Sequence, residues 1–164
     1  MRLTLFSFLS LCLICCGGDD DDGPSYNFKD QDLSGEIDDQ AWTYADGFSE
    51  LTTLEGNEYA DISLVLDQAE TSCDIASIEG NYLFFYVPAE VGVYKLKPVD
   101  FSGSFEDNQT VTFLVNEDVP NNVIAQKGAI EVLSITETKI TGRMDVRFDD
   151  EFFVNGNFEV DRCD

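Results

Sequence analysis

The five cysteines are the residues of this sequence whose type and spacing point most directly to a chemistry. A cysteine thiol can be acylated, bridged to a second cysteine or bound to a metal. Cys12, Cys15 and Cys16 lie at the end of an apolar N-terminal run, whereas Cys73 and Cys163 lie far downstream. The two groups therefore predict two chemistries, one at the N-terminus and one within the body of the chain.

The N-terminal run has the properties of a secretory signal. Arg2 supplies a positive charge, and the apolar residues 3–14 follow it. A helix of this length is too short to cross a hydrocarbon core of ~30 Å. We therefore expect residues 1–15 to be a signal peptide, with an ordinary secretory signal or an uncleaved apolar anchor as the alternatives.

Residues 13–16 (LICC) resemble the lipobox of bacterial lipoproteins, in which an aliphatic residue and two further residues, the last of them small, precede the lipidated cysteine. Cys16 fits this pattern best, because lipidation of Cys15 or Cys12 would place an aliphatic residue at the small position. The resemblance implies that the Cys16 thiol carries a diacylglycerol and that its freed amine takes a further acyl chain such as palmitate. Several chains are needed because one alone anchors only marginally.

Residues 17–24 (GGDDDDGP) form an acidic stretch directly after Cys16. Glycine gives flexibility, and the aspartates repel one another and keep the segment extended. The stretch resembles the surface-export signal of Bacteroidota lipoproteins, which implies attachment to the outer membrane facing the cell exterior, with the periplasmic face as the alternative. We expect residues 16–32 to be an acidic flexible tether and residues 33–164 to be a single domain.

Cys73 and Cys163 remain as a pair once Cys16 carries lipid. In an oxidising compartment two such cysteines most often bridge. We predict a disulfide, which would stabilise the fold by ~4–5 kcal/mol in the chain-entropy model. Strict alternation along the last strand places Cys163 on the polar face, which counts against the disulfide unless the strand ends or bulges near Asp161; two free thiols are the alternative.

The charge and the missing histidine exclude several functions. The chain has 33 acidic and 9 basic residues, and its formal charge of −24 becomes −25 when Arg2 leaves with the signal. Such a charge repels nucleic acid and anionic lipid surfaces. With no histidine, Ser-His-Asp and Cys-His mechanisms are excluded. The simplest explanation of the high acidity is that it keeps the protein soluble. The alternatives are that the acidic residues bind divalent cations or a cationic partner.

Neighbouring carboxylates occur at residues 38–39, 117–118 and 149–151. A glycosidase needs two carboxyl groups at a defined separation in a cleft, whereas acids in turns are solvated. The sequence has no calcium-binding D-x-D-x-D-G loop, no Walker motif and no dinucleotide-binding glycine pattern. We therefore predict no catalytic residue, no metal and no cofactor, with an adventitious calcium ion at residues 149–151 as the alternative.

Period-two alternation of apolar residues predicts an all-β domain. It is clearest in residues 139–148, and residues 152–161 continue it after an acidic turn, which predicts a C-terminal hairpin. Further strands are predicted at 33–37, 41–45, 58–66, 81–87, 93–96, 109–116 and 128–135, with 81–87 central in the sheet. No helical period persists, so we expect an antiparallel β-sandwich or a flattened lipocalin-like barrel of about nine to ten strands.

The layout of the chain also resembles that of a group of uncharacterised Bacteroidota lipoproteins. After the lipobox and the acidic tether come the motifs I-x-G-x-x-W, P-x-x-x-G-x-Y, I-x-G and G-x-F. The matching residues are Ile37 and Trp42, then Pro88, Gly92 and Tyr94, then Ile140 and Gly142, then Gly156 and Phe158. Asp39 stands where the first motif has glycine. The resemblance implies a β-sandwich or a lipocalin-like meander on a lipid anchor, and it implies no activity.

These observations favour a monomeric, non-enzymatic, lipid-anchored module that binds an unidentified glycan or protein ligand or serves as a structural part of the envelope. The alternative is a carboxylate-dependent glycan hydrolase, which would show two carboxylates ~5–10 Å apart in an aromatic-lined cleft. Trp42, the only tryptophan, is expected to pack in or beside the core with its N–H on a partner, and stacking on a sugar is its alternative role.

Overall fold

The computed structural model describes residues 26–66, 73, 78, 80–97, 109–116 and 119–163. The predicted signal peptide and most of the predicted tether lie outside these ranges. The described chain forms eleven β-strands and no helix. The prediction of an all-β fold is therefore confirmed.

The strands are numbered in chain order. The first six are β1 Ser34–Ile37, β2 Gln40–Thr43, β3 Asp46–Leu54, β4 Asn57–Val65, β5 Tyr82–Pro88 and β6 Gly92–Lys95. The other five are β7 Val111–Val115, β8 Asn121–Ala125, β9 Lys127–Ile135, β10 Lys139–Arg147 and β11 Phe152–Cys163.

Nine of the strands form one sheet that curls into a half-barrel, in the order β6-β9-β10-β11-β3-β4-β5-β7-β8. Strand β5 lies between β4 and β7, as expected for a central strand, and β10 and β11 form the predicted C-terminal hairpin. One pair departs from the antiparallel pattern, because the end of β11 runs parallel to β3 from Asp161 to Cys163. The sheet is therefore mixed.

The curl brings the two ends of the sheet together. Gln126 is the single residue between β8, the last strand in the spatial order, and β9, the second. On the same side of the sheet, the backbone N–H of Lys97 donates to the carbonyl of Gln109 at 2.9 Å, which joins the residues after β6 to those before β7. The inner face of the sheet consequently encloses one core.

The core consists of alternate residues from nearly every strand, as period-two patterning requires. Its largest fully buried side chains include Trp42, Phe85, Phe113, Leu33, Ile37 and Met144. Each such apolar side chain contributes ~1.5–3 kcal/mol on burial. Ile37 and Trp42 come from the β1–β2 hairpin, which pairs with β11 beside the nine-stranded path and still packs into the same core.

Strand β11 changes partner along one edge, and Gly156 lies where it does so. Gly156 has φ +142°, and a Cβ there would stand 2.7 Å from the carbonyl oxygen of Asp32. Without a side chain at that point, the chain before β1 approaches closely enough to bond: Leu33 N–H donates to Asn157 O at 3.0 Å, and Asn157 N–H donates to Gln31 O at 2.8 Å. The glycine of the G-x-F motif thus has a structural role.

Residues 26–32, assigned from the sequence to the end of the tether, lie against the outer face of β10 and β11. The guanidinium of Arg143 lies 4.7 Å from the centre of the Phe28 ring, in a cation–π contact. The backbone N–H of Asn27 donates to Asp145 Oδ2 at 2.7 Å, and that of Lys29 donates to Asn155 Oδ1 at 2.9 Å. Residues 26–32 are therefore packed on the domain, whereas the sequence assigned them to a flexible tether.

Two strands, β3 and β8, were not predicted. In β3 the apolar alternation is inverted: Phe48 lies on the outer face and is only 8% exposed, while Ser49 lies on the inner face and is fully buried. In β8, Asn121 and Asn122 follow a proline and resemble a turn, yet they pair with Val115 and Leu114 of β7. The period-two pattern does not reveal either strand, because the polarity of their side chains does not match the face of the sheet on which they lie.

The turn between β1 and β2 holds two aspartates in an unfavourable conformation. Asp38 and Asp39 both have φ of 57°, the geometry of a type I′ turn, which favours Asn-Gly or Asp-Gly. The turn therefore keeps its type although Asp39 replaces the expected glycine. A residue with a Cβ is less stable than glycine in this region of backbone space.

Replacing Asp39 by glycine is therefore expected to raise the free energy of unfolding by ~0.5–1 kcal/mol, measured by urea denaturation at pH 7. The matched control is Asp150→Gly, which removes one carboxylate from the adjacent acidic turn at a position without a positive φ. An equal gain in both variants would assign the effect to charge and contradict the backbone explanation.

Candidate functional site

The two downstream cysteines form the predicted disulfide. Cys73 and Cys163 are bonded across 90 residues of sequence, with their Cα atoms 5.5 Å apart. The alternation of β11 runs without a register shift through Asp161 to Cys163, which pairs with Glu50 of β3. The bond therefore forms on the outer face, and no bulge is needed because Cys73 lies within bonding distance of Cys163 there.

Because the bond closes a long loop, replacing both Cys73 and Cys163 by serine is expected to lower the free energy of unfolding by ~2–5 kcal/mol. Urea denaturation with and without reductant measures this loss, and reduced wild-type protein serves as the control. If the double variant and reduced wild type were as stable as the oxidised protein, the stabilising role would be refuted. Non-reducing mass spectrometry should show the oxidised chain lighter by two hydrogens.

Cys16, the predicted lipidation site, lies outside the described residues. Within those residues, no helix is long and apolar enough to cross a membrane.

A pocket of about 210 Å³ opens beside the β1–β2 hairpin. The apolar part of its described lining consists of Ile37, Ala41, Trp42 and Leu66, and the polar part of Gln40, Asn81 and Asn116, together with Gly80. None of these residues carries a charge, although the chain as a whole carries −24. Among the residues that the structure describes, the lining of this pocket is therefore uncharged in a strongly acidic protein.

Hydrogen bonds within the pocket wall fix its shape. The indole N–H of Trp42 donates to the backbone carbonyl of Asn81 at 2.9 Å. The backbone N–H of Asn116 donates to Asn81 Oδ1, and Asn116 Nδ2 donates to the carbonyl of Ile78, both at 3.0 Å. These bonds link the hairpin to the start of β5 and the end of β7.

Trp42 has the structural role expected of it. Its ring is 2% exposed and belongs to the core, and its N–H has a carbonyl partner. The alternative, in which the ring stacks on a sugar, is excluded by this burial because no face of the indole is accessible. Only the edge of Trp42 contributes to the pocket wall.

The orientation of both asparagines follows from their partners. A backbone N–H can only donate and a backbone carbonyl can only accept. Asn81 Oδ1 therefore faces the N–H of Asn116, and Asn81 Nδ2 is directed elsewhere. Likewise Asn116 Nδ2 faces the carbonyl of Ile78, and Asn116 Oδ1 is left over. In the part of the chain that the structure describes, neither leftover atom has a partner, nor does the side chain of Gln40.

Strand β2 adds backbone groups to the pocket. Ile37 and Gln40 close the two-residue turn, so their N–H and C=O groups face each other. Successive residues of a strand direct their backbone groups to opposite edges. The N–H and C=O of Ala41 therefore point away from β1. In the described sheet β2 pairs only with β1, so these two groups remain available beside the carboxamides.

The acidic turns come together at one end of the molecule. Glu151 has a raised pKa because of the nearby charges of Asp39 and Asp149. Asp149 Oδ1 already accepts the N–H groups of Glu151 and Phe152, at 2.9 and 3.0 Å. Across the described ranges no three acidic or cysteine side chains are placed to hold a metal ion, so the geometry gives no support to calcium at residues 149–151.

A second pair of carboxylates lies on the outer face of β3 and β4. Glu50 and Asp61 are directly opposite each other in the antiparallel register. Burial raises the pKa of Asp61, the charge of Glu50 raises it further, and a hydrogen bond from Tyr86 opposes both effects. Like charges in this position destabilise a sheet. Asp61 therefore holds its proton to a higher pH than an ordinary aspartate.

Replacing Asp61 by asparagine is expected to raise the free energy of unfolding at pH 7 by ~0.5 kcal/mol, a figure reduced for solvent screening. Because the folded-state pKa is raised above 3.8, the wild type loses stability as the pH rises from 3.8 through the raised pKa. The gain should therefore vanish below pH 3.8. Urea denaturation across this range measures it.

Glu50→Gln is the control for this prediction. It removes the repulsion and leaves Asp61 half-buried, so a smaller gain is expected. A loss of stability at pH 7 in Asp61→Asn would contradict the assignment, because it would mean that the ionised carboxylate is stabilised by the fold.

Compared with known proteins, the chain matches no family model, no curated protein and no solved structure.

The sequence did not single out the carboxamide residues of the pocket. Asn81 precedes β5 and Asn116 follows β7, and Tyr82 pairs with Leu114 in the antiparallel register. The start of one strand and the end of its antiparallel neighbour lie side by side. The signal was therefore present in the strand boundaries, but it becomes visible only once β5 and β7 are known to be neighbours.

Proposed function

We propose that the chain is a non-enzymatic binding module, anchored by lipid at Cys16 and displayed on the outer membrane toward the cell exterior. The observation that carries the binding part is the neutral pocket, whose carboxamides and backbone groups have unused hydrogen-bonding capacity. The anchoring part is supported by the apolar run, the lipobox-like residues 13–16 and the acidic stretch after them.

The position of the N-terminal segment is compatible with this arrangement. Residues 26–33 lie along β10 and β11, and none of them lines the pocket. A tether that precedes Tyr26 would therefore begin at the outer face of β10. The pocket would stay accessible to a ligand from outside.

Glycan hydrolysis by a carboxylate pair is the second candidate, and Glu50 with Asp61 is the observation that favours it. The raised pKa of Asp61 suits a general acid. No described residue of the pocket wall, however, is a carboxylate, so hydrolysis by Glu50 and Asp61 would take place outside the pocket. Glycan cleavage that is lost in both Asp61→Asn and Glu50→Gln would support the hydrolase over the binding module.

Replacing Cys16 by serine should abolish incorporation of radiolabelled palmitate and move the protein from the membrane fraction to the soluble fraction. The reason is that the thiol is the acceptor of the diacylglycerol, and without this step the amine that takes the further acyl chain is not freed, so no lipid holds the chain at the membrane. Cys15→Ser is the matched control and should retain both label and membrane association. Label that persists in Cys16→Ser and disappears in Cys15→Ser would move the anchor to Cys15.

Display is tested separately by protease treatment of intact cells. Loss of the domain in wild type is expected, together with protection when residues 19–22 are changed from aspartate to asparagine. Full protection of the wild-type domain would place it on the periplasmic face and contradict surface display.

A further inference from the structure

The chemistry of the pocket narrows the class of ligand. This inference about the ligand rests on the proposed binding function and concerns only which class of molecule the pocket binds. A volume of about 210 Å³ has room for about seven water molecules at ~30 Å³ each. That is less than the ~300–1,000 Å³ typical of sites for drug-sized ligands. The ligand, or the part of it that enters, is therefore about as large as one six-membered ring with its substituents.

The polar part of the pocket lining offers donors and acceptors close together. Asn81 Nδ2 can donate, Asn116 Oδ1 can accept, and Gln40 and the backbone of Ala41 can do both. A hydroxyl group likewise donates one bond and accepts others. Several hydroxyls on one ring would match this mixture, whereas a ligand with only donors or only acceptors would leave groups unpaired.

The lining of the pocket also contains apolar residues. Ala41 and Leu66 are the accessible ones and can meet C–H groups, whereas Ile37 and Trp42 are almost fully buried. A pyranose combines both properties, because its hydroxyls lie around the ring and its C–H groups lie on the ring faces. Purely polar small molecules would leave the apolar part of the pocket lining unused.

Charge argues for a neutral ligand. An anion would be repelled by a chain of net charge −24. A cation would find no carboxylate among the described lining residues, all eight of which are uncharged. An extended peptide would need a groove along a strand edge, and here only Ala41 of β2 presents its backbone to an enclosed space.

We infer that the pocket formed by Gln40, Asn81 and Asn116 binds one neutral sugar residue, as a free sugar or as the end of a glycan. The side chain of Gln40 holds the ligand and makes no hydrogen bond of its own to the described residues. It is therefore the residue whose removal affects ligand binding and leaves the wall intact.

Trp42 provides the measurement, because it is the only tryptophan of the chain and its edge lies in the pocket. The full-length protein, in a detergent without a sugar headgroup, is titrated with methyl glycosides of glucose, galactose, mannose and N-acetylglucosamine, and the tryptophan emission is followed. We expect a saturable change with at least one glycoside, and Gln40→Ala should weaken that binding about 5- to 10-fold.

The matched control is Gln126→Ala, which removes the same side chain from an exposed position between β8 and β9. It should bind as tightly as wild type. Equal weakening in both variants would overturn the assignment of Gln40, and no response to any of the four glycosides at about 100 mM would overturn the sugar class, since even weak small-ligand sites with Kd of about 1 mM would be saturated.

A response to tripeptides in place of glycosides would also overturn it. None of these results bears on palmitate labelling or protease accessibility. Failure of the sugar assignment is thus distinguishable from failure of the proposed anchoring and display.

Discussion

The backbone pairing of β11 is the constraint on which the rest of the structure depends. One edge of this strand bonds to β10 along nine residue pairs, from Phe153 to Asp161. The other edge bonds first to β1 and then, at its end, to β3. The change of partner needs Gly156, where the chain before β1 comes too close for a side chain. Through this one strand the two ends of the sequence, the hairpin beside the pocket and the main sheet are held together.

The same strand explains where the pocket lies. Because β1 takes the first part of the free edge of β11, the β1–β2 hairpin is placed beside the nine-stranded path and not within it. Trp42 then ties β2 to Asn81, and Asn116 completes the wall. The pocket therefore forms between a hairpin that leaves the sheet and the strands β5 and β7 that remain in it.

Sequence patterns predicted most of the sheet and little of the pocket. Strands such as β10 were found because every second residue, from Ile140 to Val146, is buried. Strand β3 was missed because Phe48 and Ser49 reverse the usual relation between polarity and face, and β8 because its asparagines resemble a turn. The pocket residues Gln40, Asn81 and Asn116 are polar and lie at strand ends or in a short hairpin, where a single sequence carries no signal of which strands are neighbours.

The disulfide was predicted from cysteine number, and its position on the outer face needed the structure.

The docking of residues 26–33 has a mechanical consequence. A pull on the chain before Tyr26 is not delivered to a free end, because Asn27, Lys29 and Gln31 are bonded to β10 and β11 near the middle of the sheet. The load passes into β11, whose far end is held by the disulfide to Cys73. Unfolding under tension must therefore break the hydrogen bonds between this segment and β11 before it can reach the rest of the fold.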